Sequence, residues 1–173
     1  MSARPTVHAS AVKVGERAVL IRGPSGSGKS RLAFDLILAG RAGMVPPVIL
    51  VGDDRVHLDT DGEKCWVRPA RELAGLIEIR GLGIRRCDHA GEAVVGLVVD
   101  LAAGDAERLP PASALETDLY GVKIPRIPVH PLFNPLPLVV AALTTTASSS
   151  SGNHLDHCRK GIGNHISATL ATD

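Results

Sequence analysis

Eight consecutive residues, Gly23-Pro24-Ser25-Gly26-Ser27-Gly28-Lys29-Ser30, combine glycines, hydroxyls and one cation in the pattern G-x-x-x-x-G-K-S. That combination suits the grip of a phosphate chain. Glycines let backbone N–H groups turn inward with no Cβ in the way. A helix opening at the lysine adds partial positive charge. Lys29 then has the reach for β and γ phosphates, and the Ser30 hydroxyl is a ligand for Mg²⁺. A Gly/Ser-rich turn between strand and helix is the bland alternative. The motif points to a nucleotide, but it does not separate a kinase from a hydrolase or a switch.

A phosphate loop needs a carboxylate near the metal, at the end of an apolar strand. Two stretches qualify: Val48-Ile49-Leu50-Val51-Gly52-Asp53-Asp54 and Val95-Gly96-Leu97-Val98-Val99-Asp100. Local pattern does not choose between them. Adjacent acids in an extended segment point to opposite sides, so Asp53 and Asp54 have separate surroundings. Glu78 and Arg80 alternate with apolar residues and share a strand face, as a site or as a surface ion pair. His8 reads locally as a structural histidine. Arg85 and Arg86 are solvated surface or a meeting point for an acidic edge of a partner. His154, His157, Cys158 and His165 are close in sequence but match no zinc spacing.

These groups need elements to hold them. Val7–Val14 and Arg17–Arg22 read as strands joined by a turn at Gly15-Glu16. Leu32, Ala33, Leu36 and Ile37 recur at helical spacing, with Gly40 as the stop. Val48–Val51 is a short strand. Arg55–Asp59 and Lys64–Val67 flank Asp61-Gly62 and predict a hairpin. Arg68–Leu73 reads as a helical turn and Leu76–Arg80 as a strand. Val94–Leu101 is apolar enough for the centre of a sheet. Residues 103–120 have no clear pattern. The prolines of Val122–Val129 suggest an edge strand, and Leu136–Leu143 suggests a helix started by Pro135 and Pro137. Thr144–Gly152 (TTTASSSSG) is low-complexity. The whole predicts an α/β domain with a mixed central sheet and flanking helices over residues 1–143, followed by a tail over 144–173.

Bulk composition narrows the function. The chain has 173 residues, 45% hydrophobic and 21% charged, which suits one globular domain. A net charge of +1 and only 2% aromatics offer neither a basic field nor stacking surfaces for nucleic acid. Three cysteines without a CxxC pair suggest a reducing compartment. With no apolar signal core and no membrane-length run, the expectation is a cytoplasmic protein without membrane contact.

The stretches HASAVKVGERAVLIRGPSGSGKS, VGDDRV and GLIEIRGLGI, in this order, resemble the catalytic domain of HPr kinase/phosphorylase. The last stretch resembles that family's signature segment. The likeness runs from His8 to about Asn134 and implies the short form typical of alphaproteobacteria, without the additional N-terminal domain. It implies an HPr kinase/phosphoenolpyruvate carboxykinase-like fold and ATP- and Mg²⁺-dependent phosphorylation of a serine on the phosphocarrier HPr. Phosphorolysis is the implied reverse reaction. By this likeness Asp53 is the catalytic carboxylate, Lys29 and Ser30 serve the phosphates and metal, and Glu78 is the second Mg²⁺ ligand. His8 and Arg108 join the active site, Asp100 becomes the end of a core strand, and a hexamer is implied. The sequence departs from the family at His130–Asn134, where a basic, glycine-containing loop is usual. It also departs at TTTASSSSG, where a docking helix is usual. A nucleotide-binding regulatory module with weakened catalysis, and a P-loop kinase for a small metabolite, are the rival expectations.

Overall fold

The computed structural model describes residues 6–147. Strand β1 (Ser10–Val14) turns tightly at Gly15-Glu16 into β2 (Arg17–Arg22), as expected. Gly15 adopts φ 55°, a conformation that costs glycine little. Helix α1 (Lys29–Arg41) follows the glycine loop, and its Leu32, Ala33, Leu36 and Ile37 are buried on one face. Strand β3 (Val48–Gly52) then returns antiparallel to β1.

The hairpin predicted around Asp61-Gly62 is β4 (Val56–Thr60) with β5 (Cys65–Pro69). Gly62 has φ 94°, and the Asp61 carboxylate accepts from the backbone N–H groups of Glu63 and Lys64. A short 3₁₀ turn at Arg71–Leu73 leads to β6 (Leu76–Ile79) and β7 (Gly83–Arg86). These two form a separate antiparallel hairpin that the sequence reading saw only in its first half. Strand β8 (Ala93–Leu101) is the predicted central strand: it runs parallel to β2 on one side and to β10 (Val122–Val129) on the other. The patternless stretch holds a 3₁₀ turn at Ala112–Leu115 and β9 (Glu116–Leu119). Helix α2 (Pro135–Thr144) starts where the prolines predicted, and the Asn134 side chain caps it by accepting from the Leu136 N–H.

The eight-stranded sheet has the order β3-β1-β2-β8-β10-β9, with β5 joining β8 and carrying β4. The edge position expected for Val122–Val129 is therefore wrong, because β9 lies outside it. The physical reason is a change of partner. Val122–Pro125 pairs with β9 and Arg126–Val129 pairs with β8, so neither half carries two ladders. Each proline keeps a free side within a strand that is internal to the sheet.

The sheet buries both faces. Val12, Val19, Ile21, Leu50 and Val99 meet Leu32, Leu36 and Val139 of the two helices. On the other face Ala11, Leu20 and Val98 meet Val56, Leu58 and Val67 of β4–β5. With so few aromatics, the core consists of aliphatic side chains, each worth about 1.5–3 kcal/mol when fully buried. No helix among the described residues is long and apolar enough to cross a membrane. Residues 148–173, which include the His154, His157, Cys158 and His165 group, lie outside the described residues.

Candidate active site

The glycine loop leaves β2 where β8 also ends, at the carboxyl edge of the parallel strands. A Cβ on Gly23 would lie 2.7 Å from Ser27 Oγ and 3.0 Å from Leu101 O, so only glycine fits there. At Gly26 (φ 77°) and Gly28 (φ 96°) a Cβ would meet nothing within 4 Å. Here the backbone is left-handed and the space is open, as a cradle for phosphate oxygens requires. Ser27 Oγ is buried with no hydrogen-bond partner. No side chain caps the start of α1, whose N-cap is Gly28. The loop thus offers donors and open space of the kind that a phosphate chain takes.

Lys29 is only 6% exposed. Its Nζ donates to the carbonyls of Gly23 and Pro24, each at 3.0 Å. Burial pushes the ammonium below its ordinary pKa, while Asp54 and then Asp53 pull it back up. The cradle and the two aspartates therefore share one electrostatic neighbourhood.

Asp53 and Asp54 part as expected, for a different reason. The strand ends at Gly52, and Asp54 takes φ 65°, so a turn and not the pleat separates them. Asp53 is 4% exposed. Its Oδ1 accepts from Ser10 Oγ at 2.5 Å, and its Oδ2 accepts from the Glu78 backbone N–H at 3.1 Å. Asp54 faces outward, 3.2 Å from His8 Nε2 and 3.9 Å from Arg55 Nε.

The structure thus sets Lys29 and Asp53 in one neighbourhood, with His8 reaching the adjacent Asp54 and the Glu78 backbone N–H reaching Asp53. Ser30 is the second residue of α1, one step beyond Lys29. Arg108 is not brought in: it is exposed between β8 and the 3₁₀ turn and makes no ion pair or hydrogen bond with the described residues. Ser10 is the residue that the sequence reading missed. A fully buried hydroxyl in an alternating apolar strand carries no motif, and only the fold reveals its carboxylate partner.

Asp100, the rival carboxylate, is committed elsewhere. Arg22 Nε and Nη2 reach its two oxygens at 2.7 and 2.8 Å, and Arg126 Nε reaches Oδ2 at 2.5 Å. Burial would raise the Asp100 carboxyl, but these arginines outweigh it and hold the pKa below the usual carboxylate value. Arg126 continues to Asp105 and to the Ala114 carbonyl. This network ties the end of β2, directly before the glycine loop, to β8, β10 and the segment that carries Arg108.

The HPr Serine kinase C-terminal domain matches residues 1–156. The chain belongs to this family. HPr kinase/phosphorylases of Streptococcus thermophilus and Streptococcus mutans are 33% identical over 139 residues and 32% identical over 145. In both cases 73% of this chain is matched to 42% of the relative, so the chain spans less than half the length of these curated relatives. The solved structure of the Hpr(Ser) kinase/phosphatase from Coxiella burnetii superposes with a TM-score of 0.63 at 26% identity, over 81% of this chain and 93% of that one. The mixed sheet with few helices is accordingly the fold of the HPr kinase C-terminal domain.

The family implies a divalent cation as well as a nucleotide. The donors that the resemblance assigns are a hydroxyl at Ser30 and a carboxylate at Glu78, both hard oxygen ligands of the kind Mg²⁺ takes. Among the described residues no three His, Cys, Asp or Glu side chains form a ready metal cage. A cation that shares its shell with phosphate oxygens and water needs only one or two protein ligands.

Proposed function

We propose that this chain is an ATP- and Mg²⁺-dependent serine kinase for an HPr-like phosphocarrier, with phosphorolysis of the phosphoserine as the reverse reaction. The observation that carries this reading is Asp53, a buried carboxylate held by two donors beside the Lys29 loop. Residues 1–143 form the catalytic domain in this reading, at work in the cytoplasm and in a homo-oligomer, a hexamer by family.

The glycine loop and the start of α1 bind the ATP phosphates through backbone N–H groups. Lys29 exchanges its two loop carbonyls for phosphate oxygens, and Ser27 Oγ gains a partner. Ser30 and Glu78 would hold Mg²⁺, which would supply neutralisation of charge on the transferring group. Each Asp53 oxygen carries one donor and keeps a second lone pair. Asp53 therefore accepts the proton of the substrate serine hydroxyl while staying fixed. The serine oxygen forms its bond to the γ-phosphorus as the bond to the ADP oxygen breaks. In a loose transition state the proton leaves late, so the step does not call for a strong base. In phosphorolysis an oxygen of inorganic phosphate bonds to the phosphoserine phosphorus as the bond to the serine oxygen breaks, which leaves pyrophosphate, and protonated Asp53 returns the proton to the serine oxygen.

The test is incubation with ATP, Mg²⁺ and the HPr-like protein of the same organism. Phosphoserine on the carrier is expected, and Asp53→Asn lowers its rate by about a hundredfold or more. A folded protein that binds ATP and labels no carrier would overturn the reading. Label on a metabolite instead would point to a small-molecule kinase.

A further inference from the structure

The β6–β7 hairpin lies outside the main sheet, and its outward face pairs with no other strand among the described residues. Ile77 is 1% exposed and Ile79 packs beside it on the core, which fixes the inward side. Glu78 stands directly opposite Ile84, and Leu76 opposite Arg86. Residues paired in this way share a face. Glu78, Ile84, Leu76 and Arg86 therefore look outward together.

All four residues of β7 are exposed. Ile84 is 64% exposed, and Leu82 at the hairpin tip is 63% exposed. Arg80, Arg85 and Arg86 make no ion pair with the described residues. Two bare aliphatic side chains among unpaired arginines are costly to leave in water and suit contact with another molecule. The same hairpin is anchored in the reaction centre, because the Glu78 N–H donates to Asp53.

We propose that this outward face is the docking seat for the protein substrate. This rests on the kinase reading above and adds the partner's chemistry. The acceptor serine sits beside an apolar patch that covers Leu82 and Ile84, and carboxylates at the rim of that patch meet Arg80 and Arg86. Because Glu78 shares the face with Ile84, a protein seated there brings its hydroxyl to Asp53 and to the γ-phosphate. A nucleotide would use none of Arg80, Leu82, Ile84 and Arg86, since the glycine loop holds its phosphates.

The experiment measures KM for the HPr-like carrier and for ATP with Leu82→Asp, Ile84→Asp and the milder Leu82→Ser. Arg86→Glu is measured across a range of salt. The Asp variants are expected to raise the carrier KM about tenfold or more, with the ATP KM unchanged. Leu82→Ser gives a smaller rise in the same direction and keeps the test valid if an Asp variant misfolds. Arg86→Glu weakens carrier binding at low salt and less at high salt. An unchanged carrier KM in variants of an active enzyme would overturn the seat and leave the kinase reading intact. A wild-type enzyme that labels no carrier would overturn both. Loss of self-association in the Leu82 variants, with the carrier KM unchanged, would make the face an interface between copies and would also overturn the seat.

Discussion

Asparagine at position 100 keeps the shape of the aspartate and removes its charge. In the native protein three N–H groups converge on this carboxylate: two donate to Oδ2 and one to Oδ1. An amide oxygen placed at the Oδ2 position satisfies Arg22 Nη2 and Arg126 Nε but turns its NH₂ against Arg22 Nε. The opposite orientation sets the NH₂ against both of the other donors. Either way two guanidinium groups face each other without the anion between them. The side chains of Asp100 and Arg126 are only 16% and 13% exposed, so water does little to compensate. Removal of one member of a buried pair costs about 3–5 kcal/mol, and the partial exposure of Arg22 argues for the lower end, about 3 kcal/mol. That is a large part of a typical stability of about 5–15 kcal/mol. Equilibrium unfolding in urea, followed by circular dichroism, measures it. Asp59→Asn is the control, since the Asp59–Arg68 pair is exposed and worth less than about 1 kcal/mol. The pH dependence has a definite sign. The folded Asp100 carboxyl titrates below its ordinary 3.8, so its contribution is complete above that value. It disappears as pH falls through the lower folded value, and the gap between wild type and variant closes there. A loss below about 0.5 kcal/mol at neutral pH would refute the claim that this network anchors the phosphate-loop strand.

Lys29→Ala should weaken ATP binding at least tenfold by isothermal titration, while circular dichroism stays unchanged. Ser10→Ala removes a buried hydrogen bond to a carboxylate, worth about 1.5–3 kcal/mol. It should lower kcat with the KM for ATP unchanged, and a stability loss with full kcat would show that Ser10 only packs. Gly23→Ala should destabilise the fold by about 1–3 kcal/mol, because its Cβ meets Ser27 Oγ and the fixed Leu101 carbonyl; thermal unfolding reads this directly.

Local signals carried most of the fold. The glycine loop, the Asp61-Gly62 hairpin and the start of α2 at Pro135 are each written within a few residues, and each stands where its chemistry predicts. Strand β7 escaped because its Ile-Arg-Arg run shows no buried alternation: all of it faces water. Strand β9 is four residues, two of them acidic, and forms because β10 offers it an edge. The proline rule misplaced β10 because it describes ladders one residue at a time, and this strand changes ladders halfway. In the site, Lys29 and Asp53 were legible from motif and resemblance. Ser10 and the Arg22–Asp100–Arg126 network were not. Their partners are 43, 78 and 26 residues away, and only the sheet's strand order brings them together.

Lys29 grasps the carbonyls of its own loop, at Gly23 and Pro24. In the proposed reaction a phosphate would trade one set of oxygens for another at this ammonium. Selectivity would then rest on which ligand's oxygens outbid two backbone carbonyls.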